Sequence, residues 1–576
     1  MDDEIVITRT GGGYKPSSSG RLVLNGKQPK HKSPAKDLIK NMEQDKAVGL
    51  IISRDNDQLQ VELPANHNFN IMAFFRITDV WYEMIDNNPG LKVRFEKVDL
   101  SLKSWWAPKG TPPPPTDAER DWEIKPDHFV CPSCRKQSDI IFTDGKICLN
   151  ADCKRFWFLG NERANGNVTY HPKFLKKRTK AASVKCPFPL VPDLIKTLNN
   201  GQATGSTYRD NWKGVVCPVC RKCLSRTYWK GWKCDGEGCT WQYLADLDPV
   251  SLGSVVGPEM PNSQEHHAVV GGSYGDMVSR SVDPTSTPYC KVTYSIPGVG
   301  SVFHYGSRPA INARPGGPND LFGALQTDDI DLRRYPLQSS VVAGTLTAHF
   351  AVNYGMPYKY VVKVASKGFN EASDAVRRSL GRLTWATQDA ITSVGESYHA
   401  PNELLLLAYF QGMKIGYHDD GESTLGPTIA TLSLGAGSVM KIRMKDQYYK
   451  GGRTENSLLD DDPVLPGCFN EEQRRRWKQQ LNAGKIDQVQ YDNLRKQAFK
   501  VGGGEAAPAI IMTLCHGDLV VMDRSALQKY YEHSVIPQDR LRFALTARFV
   551  KDNGFTEAER RKGQFTLSPA ETYHGD

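Results

Sequence analysis

Residues 130–153 and 216–239 carry one cysteine pattern twice. In each copy a Cys-x2-Cys pair is followed, after thirteen residues, by Cys-x4-Cys, so Cys131, Cys134, Cys148 and Cys153 correspond to Cys217, Cys220, Cys234 and Cys239 at one constant offset. The surrounding residues repeat too, as Val-Cys-Pro-Ser-Cys-Arg-Lys and Val-Cys-Pro-Val-Cys-Arg-Lys. Four thiolates in two turn-borne pairs suit a closed tetrahedral Zn site, which gives a short segment the folding energy its own core cannot supply. One structural zinc per copy is therefore expected. Eight ordinary buried thiols are the bland alternative, and the repeated spacing argues against them. Cys223 has no counterpart in the first copy, where Gln137 stands, and reads as a spare thiol or as a substitute for Cys220 as ligand. Aromatic and basic residues beside the ligands, among them Lys154, Arg155, Phe156, Trp157, Arg226, Tyr228, Trp229, Lys230, Trp232 and Trp241, suit either stacking on bases or the small core of a zinc ribbon.

Thirteen cysteines and an acidic start, Met-Asp-Asp-Glu, with no apolar stretch behind it, point to a reducing, intracellular setting. No apolar run approaches the roughly 18 residues that span a bilayer, so no membrane association is expected. A net charge of +9 permits polyanion binding without demanding it. The run Lys173, Lys176, Lys177, Arg178 and Lys180 reads as a nuclear localisation patch, a phosphate contact or a solvated loop.

At 576 residues the chain is expected to be multidomain and mainly β. Residues 1–38, rich in Gly, Ser, Lys and Pro, read as disordered; 39–110 as a small α+β unit; 126–245, after the Pro112–Pro115 spacer, as the tandem four-cysteine module; and 246–285 as a linker. From 286 to 550 strands dominate, including Val342-Ala-Gly-Thr-Leu-Thr-Ala, the apolar run Leu404–Leu407, Thr428-Ile-Ala-Thr-Leu-Ser-Leu and Val439-Met-Lys-Ile-Arg-Met, with one helix near Ser373–Val394. That pattern predicts a double-stranded β-helix, or jelly roll. An insertion at about 446–508 contains a charged helical stretch with Arg474-Arg475-Arg476-Trp477, and the tail 551–576 reads as loose.

His418 and Asp420 lie two residues apart and so share one face of a strand. With the distant His533 they can supply the two-His-one-carboxylate set of non-haem Fe(II) oxygenases, which leaves positions open for an oxo-acid cosubstrate and dioxygen. On the last strand Leu541, Phe543, Leu545, Ala547 and Phe549 form one face while Arg542, Thr546 and Arg548 share the other. Guanidinium groups beside an iron site suit a dicarboxylate, which points to 2-oxoglutarate.

On these residues the chain resembles, over roughly 290–550, the AlkB family of Fe(II)/2-oxoglutarate dioxygenases. The resemblance rests on Tyr409 nine residues before His418-x-Asp420-x-Glu422, on the His516-Gly-Asp turn, on His533 before a Val-x-Pro-like turn, on Arg542-x5-Arg548, and on Tyr354-Gly-Met-Pro-Tyr358-Lys-Tyr360. It implies that His418, Asp420 and His533 bind iron, that Arg542 pairs with the far carboxylate of 2-oxoglutarate, and that Arg548 and Tyr409 complete that pocket. It further implies that Glu422 touches the substrate base and that Tyr354, Tyr358 and Tyr360 line a pocket for a flipped base. The implied activity is oxidative removal of N-alkyl groups from DNA or RNA, with the zinc module holding nucleic acid or a protein partner. Two family asparagines are replaced, by Leu407 and Ala544. His516 is a weaker rival for distal ligand, while His304, His349 and His399 read as structural. Rival functions are a dioxygenase acting on a protein side chain or a mark such as N6-methyladenine, and an inactive zinc-dependent nucleic-acid binder.

Overall fold

The computed structural model describes residues 2–576 apart from 18–20, 33, 65, 165–167, 181–185, 187–188, 192–211, 213, 245–247, 257–274, 284–287, 338–344, 359–364, 455, 502–503, 539 and 553. Of the strand expected over 342–348, residues 342–344 lie outside the described residues, and the rest forms only an isolated bridge between Leu346 and Pro336. The chain divides into two compact units, one of residues 1–197, 214–224 and 234–241, the other of 198–213, 225–233 and 242–576.

The first unit is built on an antiparallel sheet of β1 (Ile5–Arg9), β2 (Val48–Ser53), β3 (Phe69–Ile85) and β4 (Asn88–Lys97), in the order β1-β4-β3-β2. Asp86 and Asn87 join β3 to β4 with φ of 48° and 62°, the left-handed pair that a two-residue hairpin requires. Helix α1 (Ala35–Glu43) packs on β3. Phe75, Val93, Phe95 and Trp106 are buried on this sheet. A second core joins Trp81, Tyr82 and Leu91 to Cys131, Cys148, Phe142, Trp157 and Phe174 of the first cysteine copy. Residues 1–38, expected to be disordered, thus contain a sheet strand: Ile5 is buried and β1 ladders along β4. Five residues between an acidic start and the run Gly11–Gly13 are too few to show a period, which is why the strand is not apparent in the sequence.

The second unit carries β5 (Ser279–Asp283), β6 (Cys290–Ile296), β7 (Gly300–Gly306), β8 (Phe350–Gly355), β9 (Ser366–Lys367), β10 (Glu403–Tyr409), β11 (Ile415–His418), β12 (Leu425–Gly435), β13 (Ser438–Met444), β14 (Pro508–Leu514), β15 (Leu519–Asp523), β16 (Tyr531–Pro537) and β17 (Arg542–Val550). Nine form one sheet in the order β5-β6-β7-β15-β12-β17-β10-β8-β9, and four form another, β11-β16-β13-β14. Helix α2 (Asp374–Ser393) covers β12, β15 and β17 of the larger sheet. Leu404, Leu406 and Ala408 face the core under this helix, while Leu405, Leu407 and Tyr409 face a cavity between the sheets. Burial on both faces explains why this strand reads as a continuous apolar run.

Two further expectations are corrected. Part of the segment read as a linker is packed: Val255 is buried, Val250 N–H donates to Gln326 Oε1 at 2.7 Å, and β5 edges the large sheet. The tail is held rather than loose. Phe565, Leu567 and Tyr573 pack on the core, Glu571 pairs with Arg377 at 2.6 Å, and a Cβ on Gly381 would meet the Glu571 carbonyl at 2.0 Å. Between β13 and β14 lie α3 (Glu471–Asn482) and α4 (Gln488–Val501), tied by a buried set in which Asp462 faces Arg474 at 2.5 Å, Arg495 at 3.5 Å and Tyr491 at 3.2 Å.

Candidate active site

His418 and His533 lie directly opposite one another across the antiparallel β11–β16 pair, with ring centroids 4.2 Å apart. Asp420 follows β11, and one ligand atom from each of the three side chains falls within 4.8 Å of the others. His418 Nδ1–H donates to the Gly416 carbonyl at 2.8 Å, which fixes the tautomer that makes Nε2 the ligating nitrogen. Burial, followed by the neighbouring His418, pushes His533 down to about 3, so its imidazole is neutral as a metal ligand requires. Burial opposes the Asp420 charge, but Arg548 and the two imidazoles outweigh it and hold the carboxyl below its ordinary value. The donor set and spacing fit a ferrous ion.

The cavity beside this cluster is lined by Tyr409, Thr431, Arg542, Ala544, Thr546 and Arg548 among others. Tyr409 and Arg542 are register partners on β10 and β17. Arg542 is 1% exposed; its Nη2 donates to Ser433 Oγ at 3.0 Å, while Nε and Nη1 have no partner among the described residues. A buried guanidinium with two open donors is costly unless an anion completes it, so this corner fits a carboxylate. Burial raises the Tyr409 phenol to about 12, so it stays protonated and can donate. Leu407 and Ala544, which replace the family asparagines, leave this wall with fewer polar partners.

Arg548 lines the same cavity, and two of its nitrogens face carboxylates: Nη2 reaches Asp420 Oδ1 at 3.0 Å and Nη1 reaches Glu403 Oε2 at 3.2 Å, while Nε has no partner among the described residues. It is therefore tied to the Asp420 carboxylate as well as facing the cavity where the sequence suggests a cosubstrate contact. Burial disfavours its charge, yet the two carboxylates hold the proton more firmly than usual. Tyr358 O–H donates to Asp420 Oδ1 at 3.3 Å under the Arg548 guanidinium. Tyr354 points into the hydrophobic core with Phe350 and Val352 instead of lining a substrate pocket. Tyr360 lies outside the described residues. Glu422 is half-buried, its Oε2 has no partner among the described residues, and burial raises its carboxyl although a hydrogen bond with Tyr358 opposes the shift.

His516 is no rival ligand: its Nδ1 accepts from Gly435 N–H at 2.9 Å and its Nε2 donates to Asn319 Oδ1 at 3.1 Å. His304 pairs with Asp518 at 2.9 Å. His349, read as structural, instead lines the cavity with Nδ1 unpartnered, and burial with the nearby His418 pushes it down to about 4. Nothing in its local sequence marks it.

Each cysteine quartet converges, with Cys131–Cys153 and Cys134–Cys148 sulfurs 3.7 Å apart, Cys217–Cys239 3.7 Å and Cys220–Cys234 3.6 Å. A tetrahedron with Zn–S bonds of about 2.3 Å has an edge of about 3.8 Å, so both quartets fit zinc. Cys223 stands apart, its thiol raised to about 11 by burial. Phe156, Trp157, Trp229 and Trp232 are buried and serve as core rather than as stacking platforms. In the basic run, Lys173, Lys177 and Arg178 are committed to Asp127, Asp79 and Glu4 at 2.8, 2.9 and 2.6 Å. Among the described residues no helix is long and apolar enough to cross a membrane.

Residues 324–549, the segment bearing the His-Asp-His cluster, match the family model described as the 2OG-Fe(II) oxygenase superfamily. Among solved structures, one titled "The structure of OsALKBH1" aligns at 11% identity over 42% of this chain and 87% of that one, with a TM-score of 0.19. No curated protein matches the chain.

Proposed function

We propose that this chain is an Fe(II)/2-oxoglutarate-dependent dioxygenase that removes N-alkyl groups from nucleobases, its two sheets forming the layers of a double-stranded β-helix. The observation that carries the oxygenase reading is one cavity holding the His418, Asp420 and His533 cluster beside Arg542, whose buried guanidinium has two unfilled donors. Iron with 2-oxoglutarate and dioxygen would supply the oxidising power, and hydroxylation of an N-alkyl carbon would release an aldehyde and the restored base. The protein's share is orientation and exclusion of water. Arg542 and Tyr409 hold the distal carboxylate of the cosubstrate. Arg548 and Tyr358 keep Asp420 ionised and aimed at the metal. Leu405, Leu407 and Ala544 keep water from the reacting face.

The nucleobase assignment rests on the AlkB-like order of motifs and on Glu422, whose unpartnered Oε2 suits a contact to a base edge. We assign a structural zinc to each cysteine quartet, with exposed Arg135 and Lys154 beside the first as phosphate contacts. The test is succinate release by wild type and His418→Ala with methylated DNA, methylated RNA and methylated histone peptides. Turnover on an oligonucleotide that the variant loses is the expected result; peptide-only turnover removes the nucleobase assignment, and no turnover with any of them removes the catalytic one.

A further inference from the structure

Trp229 belongs to the second unit although it falls, in sequence, between the two halves of the second cysteine quartet. It is 6% exposed, and its indole contacts three aromatic rings: Phe410 at 4.6 Å, Phe350 at 5.4 Å and Phe543 at 5.7 Å between centroids. Each is the chain neighbour of a residue that lines the cosubstrate cavity, namely Tyr409, His349 and Arg542. Successive residues of a strand point to opposite faces, so the indole backs the wall whose front presents Tyr409 and Arg542. Those two are paired across the ladder, and Trp229 bears on it at that register. The indole is itself held. The Trp229 backbone N–H donates to the Leu332 carbonyl at 3.0 Å, so the ring is fixed through its main chain and its aromatic contacts, while the Arg226 guanidinium lies 5.1 Å from the Phe410 ring centroid and donates to the Tyr228 carbonyl at 3.3 Å and to that of Trp229.

We propose that Trp229 is a positioning residue for 2-oxoglutarate: it sets the spacing of Tyr409, His349 and Arg542 from behind, without touching the cosubstrate. This inference rests on the oxygenase reading above. Removing the indole leaves a void under three neighbours at once, and interiors relax into voids only partly. A shift of a few tenths of an ångström in both β10 and β17 then spoils the fit to one carboxylate. The metal ligands stand on β11, on β16 and just after β11, so metal affinity is unaffected.

The experiment uses full-length protein loaded with Mn(II), with 2-oxoglutarate and Mn(II) affinities measured by calorimetry for wild type, Trp229→Ala, Trp229→Phe and Leu383→Ala. Leu383 is fully buried on α2 in the same core and serves as an equally destabilising control. Trp229→Ala is expected to weaken 2-oxoglutarate roughly tenfold or more, by analogy with the cost of misplaced binding groups, and to leave Mn(II) unchanged. Trp229→Phe recovers part of that loss and stays about threefold weaker than wild type, and Leu383→Ala shows none. Equal weakening in Trp229→Ala and Leu383→Ala, or a change below twofold in Trp229→Ala, overturns the inference. Should Trp229→Ala not fold, Trp229→Phe decides: a measurable weakening against an unchanged Leu383→Ala supports the role, and wild-type affinity overturns it. If wild type binds Mn(II) but no 2-oxoglutarate, the cosubstrate reading itself falls, and this inference falls with it.

Discussion

Replacing Arg542 with methionine is expected to abolish cosubstrate binding while leaving the apoprotein as stable as before or more so. The guanidinium is 1% exposed, one donor reaches Ser433 Oγ at 3.0 Å, and Nε and Nη1 have no partner among the described residues. Burial already presses its proton affinity below the usual value. A hydrogen bond to a charged group contributes about 1.5–3 kcal/mol. Two such bonds to one carboxylate contribute about 3–6 kcal/mol, so their loss weakens 2-oxoglutarate by roughly 10²- to 10⁴-fold. In the ligand-free state the same group is an uncompensated buried charge, and an apolar side chain of similar length removes that cost. Lysine keeps the charge but not the fork, and falls between the two. The assay is thermal unfolding with Mn(II), with and without 2-oxoglutarate. Saturation at about 100 times Kd raises wild-type stability by about 2.7 kcal/mol; Arg542→Met shows no such rise, and its unliganded midpoint is unchanged or higher. A midpoint several degrees lower, or 2-oxoglutarate affinity within threefold of wild type, refutes the reasoning.

Zinc analysis is expected to find about two ions per chain, falling to about one in Cys148→Ser; a content near zero in the wild type removes both metal sites. His516 is buried and held neutral, with its proton affinity depressed to about 4 against about 6.5 in the unfolded chain. Below pH 6.5 the unfolded state therefore binds a proton that the folded state refuses, and about 2 kcal/mol of stability is lost between pH 7 and 5. Denaturant midpoints at the two pH values check this, and His516→Asn flattens the slope. Gly381→Ala drives a methyl into the Glu571 carbonyl, 2.0 Å from the added carbon, and is expected to cost about 1–3 kcal/mol. Limited proteolysis should then release the C-terminal tail, and an unchanged cleavage pattern would contradict the packing described.

The chemistry of this molecule was far easier to read than its architecture. His418 and Asp420 announce themselves because a period of two puts them on one face, and eight cysteines because their spacing recurs. The two faces of β17 follow from the same alternation. Roles that depend on a partner distant in sequence were not legible. Nothing beside Arg548 in the sequence marks Glu403 and Asp420 as its partners. An aromatic such as Tyr354, on a strand buried on both faces, gives no sign of the side it takes. Trp229 reads as ribbon core from its neighbours, whereas its ring contacts lie more than a hundred residues onward. The β1 strand and the packed tail leave no mark in the sequence, because isolated apolar residues among polar ones bury well once a sheet edge or helix groove exists to receive them.

The two imidazoles face each other through ladder registry, not through closeness along the chain, and the helical segment 445–507 leaves and re-enters between the neighbouring strands β13 and β14. The donors are consequently indifferent to the length of that excursion. It is a place where the protein can be trimmed, enlarged or given a new recognition surface by evolution or by design, while the oxidative centre needs no retuning.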